Sequence, residues 1–115
     1  MRYLDAGYGA FLEHEDRLRS LPLRPSDYVR RQVRVTPYPH EDAGWIIANS
    51  DERICLFSSD FPHIEGGRNP LKRFNDTLGG APPGAVQRFY CDNFIDLMGE
   101  GLAPELRRPA HLIAA

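Results

Sequence analysis

Residues 53–67 read Arg-Ile-Cys-Leu-Phe-Ser-Ser-Asp-Phe-Pro-His-Ile-Glu-Gly-Gly, and this stretch decides the expected fold. It begins with an apolar run over residues 54–57, which is short enough to indicate a buried strand rather than a helix. It then changes abruptly to two serines and Asp60, so a carboxylate stands where the strand opens into a loop. In parallel α/β folds this edge of the sheet binds ligands and metals. Asp60 is therefore a candidate functional residue, although many aspartates in this position only form turns.

The sequence upstream predicts a parallel partner for this strand. Residues 33–36 alternate and are β-branched, which favours a second strand. A helix over about residues 41–49 is predicted between the two strands, and strand, helix, strand at this length is the βαβ unit of a parallel sheet. Both strands would end at the same edge, so we expect His40 and Asp60 to lie on one face of the sheet.

Other segments favour helices that are separated by proline and glycine. The predicted helices cover residues 11–21, 26–32, 70–78 and 84–98. Asn69 and Pro70 give a clear start signal for the third of these, because asparagine caps and proline suits the first helical position. Asn93 falls on the apolar face of the last helix and needs a hydrogen-bond partner if it is buried. Residues 100–115 indicate a tail, whose end at residues 111–113 either packs against the body or stays mobile.

Composition limits the classes of function. A chain of 115 residues suits one domain, and a net charge of −2 gives no electrostatic basis for binding nucleic acid or an anionic membrane surface. No apolar run approaches the roughly 20 residues that a membrane span requires. The two cysteines lie in apolar patterns and are interpreted as buried thiols. A cytoplasmic protein is expected.

The inventory of catalytic motifs is short. The sequence has no glycine-rich phosphate loop, no HExxH, no paired CxxC and no G-x-S-x-G elbow. A metal site stays open, because zinc and similar ions take imidazole and carboxylate ligands, usually three from the protein at a catalytic site. Asp60 can supply one. His63, three residues later, is a second ligand, a partner of a ligand or an ordinary loop residue.

A larger pattern carries a family resemblance. Residues 57–66, followed by Arg-Asn-Pro-Leu at 68–71 and Phe74, resemble the C-terminal signature of amidohydrolase family 2. These are the amidohydrolase-related metal enzymes that include the aminocarboxymuconate-semialdehyde and resorcylate decarboxylases. The likeness extends upstream over residues 24–39 to Trp45, and downstream over residues 89–94 and 97–99. It covers most of the chain, from about Leu4 to Gly99.

The resemblance implies a fold and a set of site residues. The family folds as a (β/α)8 TIM barrel with a metal at its C-terminal face. The expected fold class is therefore α/β, a C-terminal barrel fragment of about the last two β/α units plus a terminal helix. Residues 33–36 and 54–57 match the seventh and eighth strands, so residues 1–99 form a partial barrel domain before the tail at 100–115. Asp60 matches the aspartate that contacts the metal and helps activate water or orient the substrate. His63 and His40 are possible site-lining residues.

Departures from the family limit the expected activity. The His-x-His or Glu-x-His of the first strand and the histidines of the middle strands are absent, so a zinc site, or alternatively a manganese site, is incomplete in this chain. The chain is expected to be a truncated product, a gene-model fragment or half of a split protein, inactive alone. The full-length enzyme would be a hydrolase or decarboxylase acting on a small molecule. The alternative is a non-catalytic α/β fragment or interaction module that docks through an exposed sheet edge.

Overall fold

A computed structural model describes residues 1–107. The expectation for residues 111–113 concerns a part of the chain outside these residues. The described part of the chain contains seven α-helices: α1 (Arg2–Phe11), α2 (Asp16–Arg19), α3 (Pro25–Gln32), α4 (Ala43–Asn49), α5 (Pro70–Leu78), α6 (Pro83–Gln87) and α7 (Asn93–Met98). A π-helical turn, Arg88–Asp92, joins α6 to α7, and 3-10 turns lie at Ile64–Gly66, Gly99–Gly101 and Pro104–Leu106. The chain divides into two compact units, residues 1–33 and the chain from Arg34 onward. The predicted division near residue 99 stays a prediction.

The first unit is held mainly by polar contacts. Asp5 of α1 accepts the backbone N–H of Ser26 at 2.9 Å, so it caps the start of α3. Hydrogen bonds from the Ser26 hydroxyl and N–H lower the pKa of the Asp5 carboxyl. At the other end of α1, the Arg19 guanidinium donates to the carbonyls of Leu12, at 3.0 Å, and Glu13. The predicted continuous helix over residues 11–21 is wrong. Helix α1 ends at Phe11, and the contacts of the Arg19 side chain close a turn between α1 and α2.

The second unit contains a small aromatic core. Phe74 of α5 and Phe89 of the π-helical turn are fully buried, with ring centroids 5.0 Å apart. Phe57 packs edge-on against Phe74 at 5.8 Å. The start of α5 follows the sequence signal, since Asn69 accepts the N–H of Lys72 at 3.1 Å. Helix α4 lies so close to α5 that a Cβ added at residue 44 would meet the Thr77 carbonyl oxygen at 2.1 Å, which explains glycine there.

The predicted α/β barrel fragment is wrong. Residues 1–107 are mostly helical and contain no sheet; the remnant of the predicted pairing is one parallel bridge between Val35 and Cys55. In it, Val35 donates to the Ile54 carbonyl and accepts from the Leu56 N–H, both at 2.9 Å. A sheet needs further backbone partners, and helical groups occupy those positions on the other side of residues 54–57.

Two contacts close that other side. The Phe57 N–H donates to the Phe89 carbonyl at 2.8 Å, and the side-chain amide of Asn93 donates to the Cys55 carbonyl at 2.7 Å. Asn93 is fully buried and also donates to the Glu52 carbonyl at 2.8 Å. The need for a partner at Asn93, expected from its place on an apolar face, is therefore met by backbone for the amide N–H groups, while its Oδ1 atom has no partner within residues 1–107. An extended segment is satisfied without a neighbouring strand on this side.

The C-terminal helical region also differs from expectation. The predicted helix over residues 84–98 is interrupted by the π-helical turn, where the backbone carries an extra residue. The apolar positions of α7 at Phe94, Leu97 and Met98 are 43, 54 and 40 % exposed. The apolar face predicted for residues 84–98 is therefore covered at Phe89 and exposed along α7.

Candidate functional site

The loop that follows residues 54–57 is organised by its own serine hydroxyls. The Asp60 N–H donates to the Ser58 hydroxyl at 3.2 Å, and the Phe61 N–H donates to the Ser59 hydroxyl at 3.3 Å. Each is a local side-chain to backbone bond two residues apart, which replaces the sheet hydrogen bonds that the chain loses on leaving the strand-like segment. The loop thus begins in a defined conformation directly after a buried anchor.

Asp60 adopts an unusual backbone conformation. Its φ angle is +54°, the one positive φ outside glycine in the described part of the chain. Aspartate tolerates this left-handed region better than most residues, but an L side chain there is still strained. The Asp60 carbonyl accepts the N–H of His63 at 2.8 Å, which holds the turn closed.

The Asp60 carboxylate is uncommitted among residues 1–107. It accepts no hydrogen bond and joins no ion pair with the described residues, and Asp60 is only partly exposed. Helix capping is done elsewhere: Asp42 caps α4 by accepting the Trp45 N–H at 2.8 Å, and Asn69 caps α5. The turn-forming role of Asp60 therefore belongs to its backbone, and the side chain stays available for an external partner.

Gly66 is a site residue that the sequence did not reveal. It is buried, and a Cβ added there would lie 2.3 Å from the Ser59 carbonyl oxygen and 3.2 Å from the Asp60 Cβ. Its N–H donates to the His63 carbonyl at 3.2 Å. The sequence showed only a glycine pair at the end of a loop. No local signal distinguished a glycine required by close backbone contact from one that simply ends a loop.

The two candidate histidines are placed differently. His63 contributes backbone bonds to the loop and is exposed. His40 is also exposed and stacks on Tyr38, with ring centroids 5.4 Å apart and planes 10° from parallel. Their site-lining role stays a prediction.

The ligand set that a catalytic metal needs is not complete in residues 1–107. A carboxylate oxygen suits zinc or manganese, so Asp60 fits as one ligand. However, no group of three or more histidine, cysteine, aspartate or glutamate side chains in this part of the chain has the arrangement to hold a metal ion. Asp60, His63 and His40 are therefore not brought together as a ligand set, and no catalytic step follows from these residues alone.

Two exposed apolar side chains follow Asp60 in the same loop. Phe61 and Ile64 are 86 and 91 % exposed, beside Asp60 and His63 in the same loop. A loop that presents one carboxylate followed by two exposed apolar side chains can contact both the charged and the apolar parts of a partner. Neither residue was singled out from the sequence, since single exposed hydrophobic residues have no sequence signature.

Comparison of the chain with protein-family models, with curated proteins and with solved structures gives no match. Membership of the amidohydrolase-related enzymes therefore stays a prediction from the motif in residues 57–74. Separately, none of the helices in residues 1–107 is both long and apolar enough to span a membrane.

Proposed function

We propose that this chain is the C-terminal part of an amidohydrolase-related, metal-dependent hydrolase or decarboxylase, in which Asp60 is a metal-ligand carboxylate. The observation that carries the proposal is the state of Asp60. Its backbone is held in a strained left-handed conformation, while its carboxylate has no partner among residues 1–107. Strain of this kind is retained most often at functional sites. The resemblance over residues 57–66 names the chemistry that such a carboxylate serves.

The metal is a divalent cation, with zinc favoured over manganese because imidazole and carboxylate ligands suit it. When bound in such an enzyme, the cation supplies Lewis acidity toward water or a substrate carbonyl. This chain contributes one carboxylate, and the other ligands come from a segment that residues 1–107 do not contain. The 115-residue chain alone therefore binds metal weakly and has no turnover.

The class of substrate, the partners and the location follow from the same proposal. The substrate is a small molecule, which contacts the exposed Phe61 and Ile64 beside Asp60. The net charge of −2 disfavours nucleic acid as a partner. A cytoplasmic location accords with two free cysteines, of which Cys55 is buried as expected and Cys91 is only partly buried.

A second candidate is a non-catalytic interaction module. It is favoured by the balance of apolar side chains: among the described residues, fifteen large hydrophobic side chains are exposed and nine hydrophobic residues are buried. Where exposed apolar side chains gather into one patch, they mark a surface that associates with another chain.

Zinc titration by calorimetry separates the two functions. We expect weak binding to the 115-residue chain, loss of that binding in Asp60→Ala, and retention in Glu65→Ala. Glu65 is a matched control because it is an exposed carboxylate of the same loop. Equal binding by wild type and Asp60→Ala would remove Asp60 from the metal site. Turnover by the isolated chain with added zinc or manganese would contradict the proposed division of the site.

A further inference from the structure

The segment from Asp60 to Gly66 folds back on itself. The Asp60 carbonyl accepts the His63 N–H, and the His63 carbonyl accepts the Gly66 N–H at 3.2 Å. These two bonds bring residue 66 against the backbone of Ser59 and Asp60, where a Cβ would meet the Ser59 carbonyl oxygen at 2.3 Å. Only glycine fits that approach, since real Cβ atoms do not come so close to a carbonyl oxygen.

The backbone of Asp60 is held by contacts within the loop. A positive φ at a residue other than glycine persists only when its surroundings hold it there. At Asp60 the backbone is held on both sides, by the Ser58 hydroxyl on its N–H and by the His63 N–H on its carbonyl. A Cβ added at residue 66 would also lie 3.2 Å from the Asp60 Cβ, so Gly66 lies close to the start of this side chain.

We propose that Gly66 is a positioning residue for Asp60: it lets the loop close, and the closed loop holds the Asp60 carboxylate away from internal partners. Ser58 is the second positioning residue, through its bond to the Asp60 N–H. The inference rests on the proposed function for the role of the carboxylate, but the restraint on the backbone conformation of Asp60 is a property of the chain itself. The two parts are therefore tested by different measurements.

The first measurement tests the hold without metal. Thermal unfolding is compared for Asp60→Gly and Asp60→Ala, both of which lack the carboxylate. At an ordinary position glycine is the less stable choice because it loses more backbone freedom on folding. At φ +54° the order reverses, and we expect Asp60→Gly to melt about 2–6 °C above Asp60→Ala. If Asp60→Ala melts at or above Asp60→Gly, the strained conformation is wrong and the proposal fails.

The second measurement tests positioning. Manganese is added to the isotopically labelled chain, and paramagnetic broadening of amide signals is recorded for residues 58–67. We expect broadening in wild type and in Gly84→Ala, whose added Cβ meets no atom within 4 Å. We expect it to be lost in Gly66→Ala and in Ser58→Ala and retained in Ser58→Thr, which keeps the hydroxyl. Unchanged amide signals from Phe74 and Phe89 show that the core is intact.

The outcomes distinguish the two ideas. Broadening in wild type that persists in Gly66→Ala and Ser58→Ala overturns the positioning role and leaves the proposed function standing. No broadening in wild type overturns the metal role of Asp60, while the melting comparison still decides the conformational hold. If Gly66→Ala does not fold, the Ser58→Ala and Ser58→Thr pair gives the answer, because neither change introduces a backbone clash.

Discussion

At the scale of single residues, Cys55 makes stability depend on alkaline pH. It is fully buried beside the parallel bridge, and desolvation, followed by the nearby charge of Glu41, raises its pKa from 9.0 to about 11. The unfolded chain therefore releases this proton at lower pH than the folded chain. The stabilisation is fully present below pH 9 and is lost as pH rises through the folded pKa, with a total of about 2–3 kcal/mol.

We expect the free energy of unfolding, measured with urea, to fall between pH 8.5 and pH 11. In Cys55→Ala this decrease should be smaller by about the stated amount, because alanine does not titrate. The second cysteine, Cys91, is partly exposed, and Cys91→Ala supplies the control for loss of a thiol. Identical slopes for Cys55→Ala and wild type would show that Cys55 ionises as readily in the folded chain as in the unfolded one.

At the scale of elements, local signals were predictable, whereas the sheet expected around the Val35–Cys55 bridge did not form within residues 1–107. The capping pair Asn69-Pro70 located the start of α5, and the predicted helix over residues 41–49 corresponds to α4 at Ala43–Asn49. These signals act within one turn of helix, so a single segment carries them. A strand needs partners elsewhere in the chain, and the apolar run at 54–57 does not reveal that helical groups would occupy its open side.

The candidate site follows the same division. Asp60 was predictable because a carboxylate after an apolar run is a local pattern and because residues 57–66 resemble a known signature. Gly66 was not, since its importance depends on an approach to Ser59 that only the folded loop creates. The exposed apolar side chains of α7 show a further limit of sequence-based prediction. Periodicity locates an apolar face of a helix but cannot show what covers that face.

Substitution of Asn93 tests whether its side chain takes the place of a neighbouring strand as hydrogen-bond donor to residues 54–57. Its amide donates to the Cys55 and Glu52 carbonyls inside the core. We expect Asn93→Leu to cost about 2–3 kcal/mol, because two backbone acceptors lose their donor. The loss is partly offset because the Asn93 Oδ1 atom has no partner within residues 1–107.

Urea unfolding measures this cost, with Asn49→Leu as the matched control. Asn49 is exposed and donates to one helical carbonyl, that of Trp45, at 3.0 Å. Its replacement should change the free energy of unfolding by less than about 0.5 kcal/mol. Comparable losses for the two variants would mean that the buried contacts of Asn93 contribute no more than a surface bond.

At the scale of the whole molecule, exposed large hydrophobic side chains outnumber buried hydrophobic residues within residues 1–107. Within residues 1–33 no hydrophobic side chain is fully buried, and the buried hydrophobic residues lie between Ala43 and Phe89. Stability of folded domains is a small difference between large opposing contributions, so a core of this size leaves little margin. The exposed apolar side chains, with Phe61 and Ile64 among the most exposed, then favour association with another surface.

This imbalance predicts concentration-dependent self-association of the isolated chain, measured by sedimentation velocity. Replacing Phe61 with serine and Ile64 with threonine should weaken the association, because these side chains are 86 and 91 % exposed and flank the candidate site. The melting temperature should stay nearly unchanged, since neither residue belongs to the core. Glu65→Gln, an exposed polar change directly after Ile64 in the same loop, is the control and should associate as wild type does. Equal association by the double variant and wild type would locate the adhesive surface elsewhere, with α1 and α7 as the next apolar faces to change.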